Sequence, residues 1–125
     1  MRQILNRDMF LAASPATEIV REDVLLPEFG EGSVIPVWGM TAGERTRFER
    51  QFATKDGKSI EARVQEFRER LLVACCRDDS GTPIFKAEDV QALGRKRADI
   101  VERIVNVAQR LSGFTQQDIE ATVGN

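Results

Sequence analysis

Catalysis needs side chains that titrate, attack or ligate, and this sequence is short of them. It has no histidine and no tyrosine. The commonest general base near neutral pH, which is also the commonest transition-metal ligand, is therefore missing. Its two cysteines, Cys75 and Cys76, are adjacent. A vicinal pair suits a redox switch or a soft-metal site, but a metal needs further ligands at matched spacing, and the chain supplies none from Cys or His. Cys75 falls on an apolar helical stripe, so the pair reads as reduced thiols packed as small hydrophobes. Carboxylates such as Glu44 and Asp79 show no spacing that argues for a shared site. Asp78-Asp79-Ser80-Gly81 has part of a calcium loop's composition and lacks its other ligands, so it reads as a turn. Gly30-x-Gly32 and the stretch from Gly39 to Gly43 lack phosphate-loop spacing and a lysine in register, and they read as turns too. No catalytic residue, cofactor or metal is expected, and the chain is not expected to be an enzyme.

What remains are surfaces. Arg95-Lys96-Arg97 is a basic run, and from Arg95 to Arg110 five cations stand against two acids. No aromatic residue interleaves with them to stack bases, so nucleic acid is not the expected partner and a solvated helix start is the better reading. The run sits poorly at the positive end of a helix dipole, which calls for an acidic partner. From Glu18 to Glu31 five acids oppose one arginine. This patch is either a solvated surface or the complement of the basic run on a neighbouring subunit. Trp38, the one tryptophan, either packs in its own core or anchors an interface.

Positioning these residues falls to a chain of 125 residues, 42% hydrophobic and 30% charged, with a formal charge of −2. That suits one soluble domain over 1–125 and no strong field toward nucleic acid or anionic lipid. No apolar stretch approaches the ~20 residues of a membrane span. Arg2, Arg7 and Asp8 interrupt the apolar N-terminus, so no signal peptide is expected.

Apolar spacing predicts a short helix over Gln3–Ala13, stopped by Ser14-Pro15. Strands follow at Glu18–Leu26 and Ser33–Met40, a hairpin around the Gly30–Gly32 turn, with Pro36 at an edge or a bulge. Thr41-Ala42-Gly43-Glu44 is a capping box opening a helix to about Ala53, with Phe48 and Phe52 on one face. Lys55–Lys58 is a polar break. Ile60, Val64, Phe67, Leu71 and Cys75 set a long helix over Ser59–Cys76. Arg77–Gly81 is a turn and Thr82–Phe85 a short extended segment. Glu88–Leu93 is a short helix stopped by Gly94. A helix over Ala98–Leu111, widened by Val101 and Val105, is expected to be buried on two sides. A last short helix starts at Thr115. The expected fold is α+β and predominantly helical: residues 3–40 form an N-terminal helix and β-hairpin packed on a helical bundle of residues 41–125.

Four stretches in this order carry a family resemblance. They are the N-terminal helix with Ile4-Leu5 and Leu11-Ala12-Ala13; Val37 to Glu49, VWGMTAGERTRFE; Phe67 to Phe85, FRERLLVACCRDDSGTPIF; and Glu88 to Gly94, EDVQALG, followed by Ile104 to Phe114, IVNVAQRLSGF. The chain resembles the tail assembly chaperones of long-tailed phages and prophages over most of its length. The resemblance implies a non-enzymatic protein in the host bacterial cytoplasm. Such a protein binds the tape measure protein and keeps it soluble during tail morphogenesis. It implies a homo-oligomer, often an open spiral, and a frameshifted long form sharing this domain. Trp38, Phe85, Arg95, Arg97 and Phe114 are the residues expected at a protein interface. The alternative is a small regulatory adaptor that binds nucleic acid or another protein through the basic helix 95–110.

Overall fold

The computed structural model describes residues 1–14, 17–52 and 59–124. Ala53, the polar break at Lys55–Lys58 and Pro15 lie outside the described residues.

The fold is α+β and mostly helical. Helix α1 spans Arg7–Leu11, opened by Asn6, whose side chain accepts from the Met9 N–H at 2.9 Å. It is shorter than the expected Gln3–Ala13, and none of its residues is buried. The expected packing of this helix on the bundle is not seen. A helix of one turn is marginal without a packed face, which accounts for its early end.

Strands β1 (Arg21–Leu25) and β2 (Val34–Trp38) form an antiparallel hairpin with an unbroken register from Arg21↔Trp38 to Leu25↔Val34. Pro36 therefore sits at an edge and makes no bulge. The bonds Leu26 N–H to Ser33 O and Gly39 N–H to Val20 O place the hydrogen-bonded pairs at odd positions of β2. Pro36 falls opposite Asp23 in a non-hydrogen-bonded pair, so its missing N–H costs β1 no ladder bond.

Helix α2 (Ala42–Arg50) opens with the expected capping box: Thr41 Oγ1 accepts from Glu44 N–H at 3.1 Å, and Glu44 accepts from Thr41 N–H at 2.9 Å. Helix α3 (Ile60–Cys75) is capped by Ser59 and is the spine of the molecule. Its Phe67, Leu71 and Cys75 are fully buried. Phe67 meets Phe48, Phe52 and Phe114 with ring centroids 5.2, 5.4 and 5.4 Å away, and these four rings are the centre of the core. The short helix α4 (Val90–Leu93) follows a 3₁₀ turn at Ala87–Asp89.

Helix α5 (Ala98–Ser112) packs on α3 with one side and on both hairpin strands with the other, as its wide apolar face required. It ends at Gly113, whose φ of 75° is the left-handed cap that favours glycine. Gly39 brings the hairpin's exit against this helix end: a Cβ there would lie 2.6 Å from the Leu111 carbonyl oxygen. Helix α6 (Gln116–Gly124) closes the fold with Ile119 and Val123 buried. Among the described residues no helix is long and apolar enough to cross a membrane.

Candidate functional site

The turn end of the hairpin, the loop after α3 and the face of α5 enclose an apolar groove of about 500 Å³. Leu26, Phe29, Val34 and Ile35 come from the hairpin end; Ile84 and Phe85 come from the loop; Leu72, Leu93, Ile100, Val101 and Ile104 come from α3, α4 and α5. Among the described residues, the polar ones that line it are Ser33, Lys96 and Arg97. A concave, mostly apolar cleft with few polar groups is the usual form of a binding site.

Local chemistry sets each wall. Asp78 accepts from Ser80 N–H at 2.9 Å and Thr82 N–H at 3.0 Å, folding the loop back on itself. The Ser80 hydroxyl, which donates to Asp78 at 2.7 Å, and these backbone bonds hold the Asp78 carboxyl below its ordinary value. Ile84 N–H then donates to Cys76 O at 3.0 Å, which pins Ile84 and Phe85 over α3. On the opposite wall, Pro27–Phe29 form a 3₁₀ turn that presents Phe29. Arg103 of α5 holds that turn through two bonds to Glu28, at 2.8 and 3.0 Å, and a third to Leu25 O at 3.2 Å. The guanidinium beside Glu28 draws its carboxyl down to about 2. Glu28 is thus charged throughout the ordinary pH range.

The basic run finds its acidic partner close by. Arg97 makes two bonds to Asp99 in the first turn of α5, at 2.6 and 2.9 Å. Asp99 also suits the positive helix end that the cations do not. The acidic hairpin is partnered within the chain as well: Glu22 meets Arg110 at 2.7 Å and Glu28 meets Arg103. Glu22 and Glu28 of the acidic patch are thus held by α5 of their own chain, through Arg110 and Arg103 and not through the Arg95–Arg97 run.

Of the residues expected at an interface, Phe85 and Arg97 line the groove. Arg95 stands beside it, in a shallow cavity with Lys96, Arg68 and Glu69. Trp38 lies at the other end of the hairpin, half-buried, with the Arg21 guanidinium 5.1 Å over its ring. Its buried Nε1 has no hydrogen-bond partner among the described residues. Phe114 is a core residue, not a surface one: it is buried in the phenylalanine cluster, and Arg45 covers its ring at 4.1 Å. Phe29, Ile84 and Ile100 were missed. Phe29 carried a usable signal, since a large apolar residue in a Pro- and Gly-bounded turn has nothing local to pack on.

Cys75 and Cys76 are free and buried. Burial pushes the Cys75 thiol up to about 11 and Cys76 higher still. Both should therefore resist iodoacetamide in the folded chain at pH 8 and react only on unfolding. A raised thiol pKa favours the fold below the unfolded value near 9, and that contribution falls as pH climbs toward 11. Fast labelling of either cysteine in native buffer would contradict this. Among the described residues no group of Cys, Asp or Glu is placed to hold a metal ion.

No protein-family model matches the sequence, and no curated protein matches it. In structure the chain is similar to the bacteriophage HK97 tail assembly chaperone, with a TM-score of 0.54 and 14% identity. The match covers 74% of this chain and 85% of that one. What the two share at this distance is a fold.

Proposed function

We propose that this chain is a tail assembly chaperone of a long-tailed phage or prophage. It binds the tape measure protein in the host cytoplasm and keeps it soluble while the tail is built, without catalysing a reaction. The observation that carries this reading is the apolar groove, open on a chain whose fold is that of a tail assembly chaperone. A long helical client with an apolar stripe aggregates unless the stripe is covered. A groove walled by Phe29, Ile84, Phe85 and Ile100 receives such a helix in the helix-in-groove mode. Self-association and a longer frameshifted form that carries this domain belong to the same proposal.

The nucleic-acid reading is not favoured. Arg97, Arg103 and Arg110 already bind Asp99, Glu28 and Glu22. A phosphate would have to displace those carboxylates.

Co-expression tests the client. The tape measure protein should stay soluble and co-purify with the wild-type chain. With Ile84→Asp, which puts a charge at the groove's mouth, capture should fall at least tenfold. If the tape measure protein were equally soluble without the chain, or if Ile84→Asp captured it as well as wild type, the proposal would fail.

A further inference from the structure

Twelve large apolar side chains are exposed among the described residues, and they fall in two places. Eight lie between Met1 and Val20. The other four, Leu25, Phe29, Val34 and Ile84, lie at or beside the mouth of the groove. One chain thus carries an uncovered apolar helix and an uncovered apolar cleft.

We propose that residues 3–13 of one copy seat in the groove of a second copy, so that the chain assembles head to tail through its N-terminal arm. This deepens the self-association named above by assigning its two surfaces. It rests on the chain's own surfaces and not on the identity of the client.

Three observations carry it. The arm stands off its own body: Ile4, Leu5, Met9, Phe10 and Leu11 are 76, 54, 44, 70 and 64% exposed. The chain leading from the arm also enters the hairpin at the end opposite the groove. The arm enters at Arg21, whereas the groove is built at Leu26, Phe29 and Val34. A five-residue strand separates the two, roughly 17 Å at 3.3–3.4 Å per residue. Two different surfaces make a heterologous contact, which repeats from copy to copy into a ring or an open filament and not into a symmetric two-fold dimer. The five arm side chains expose roughly 600 Å² together, most of the roughly 800 Å² that one partner brings to a standard interface.

A client helix and a neighbour's arm then compete for one groove. In the absence of client, the arm keeps the cleft from non-specific aggregation, and a client with a longer apolar stripe displaces it.

Sedimentation velocity on the full chain tests this. The wild-type chain should form a concentration-dependent series of oligomers across the micromolar range. Phe10→Asp, which spoils the arm, and Ile84→Asp, which spoils the groove, should each sediment as a monomer with an unchanged far-UV spectrum. Mixed in equal amounts they should form one-to-one dimers and nothing larger, because only one intact arm and one intact groove remain to meet. If Ile84→Asp does not fold, Phe29→Ser takes its place. A wild-type chain monomeric at every concentration, whether its arm is free or folded into its own groove, would overturn the proposal. So would Phe10→Asp assembling like wild type, or a mixture that gives no dimer. Phe10→Asp keeps its groove, so capture of the tape measure protein by that variant bears on the function alone.

Discussion

Phe67→Ala should lower the stability of the chain by about 3–5 kcal/mol, the usual cost of deleting a buried aromatic ring. Phe67 is fully buried on α3 and touches rings from α2 and from the turn into α6. Its two edge-on contacts, at interplanar angles of 87° to Phe48 and 84° to Phe114, are the favourable geometry for aromatic pairs. Three separate elements lose their common contact at once, so none can collapse far into the hole without leaving another. A chain of this size has about 5–15 kcal/mol in total, so the variant should show a much lower urea midpoint. An unchanged midpoint would mean that the four rings are not the centre of the core.

Arg63→Met should cost about 2–4 kcal/mol even though it keeps an apolar stem of similar length, because a carbonyl left buried without its donor costs about 1–3 kcal/mol. Arg63 is only 7% exposed. Its Nε donates to Val123 O and its Nη2 to Phe52 O, both at 2.6 Å. Those carbonyls lie at the end of α6 and just beyond α2, where helices lack internal donors. One guanidinium therefore closes two helix ends onto α3. Limited proteolysis should show the variant cut first near its C-terminus, with α6 released ahead of global unfolding. Cleavage identical to wild type would contradict this.

Local chemistry made much of the helical frame legible. Thr41 and Glu44 are three apart because a capping box needs that spacing, and they form one. Ser59 followed by an apolar stripe marked α3, and Gly113 marked the end of α5. The arm was less legible. The spacing of Ile4, Leu5, Met9 and Phe10 indicates an apolar face but not whether the same chain has a surface to receive it. Phe114 follows a helix-ending glycine, and no periodicity there distinguishes a buried ring from a docking one. The pairs that lay the hairpin on α5 were beyond reach for another reason. Arg103 and Glu28 are 75 residues apart and Arg110 and Glu22 are 88 apart, so their meeting depends on how the hairpin lies on α5. The same holds for the groove, whose walls come from five separated parts of the chain and exist only once α3, α4, α5, the loop and the hairpin have packed.

The role of Arg63 shows the same limit from the other side. In sequence it is one cation among many on a charged helix. In the fold it is a buried clamp, because two helix ends converge on it.

The most direct measurement uses Phe10→Asp, whose groove is intact and whose arm is not. The ¹⁵N-labelled variant would be titrated with a synthetic amphipathic helix from the tape measure protein, following backbone amide shifts. Saturable changes centred on Phe29, Val34, Ile84 and Phe85 are the expected result. Changes confined to another face, such as α6, or no change at all, would contradict the groove as the client's seat.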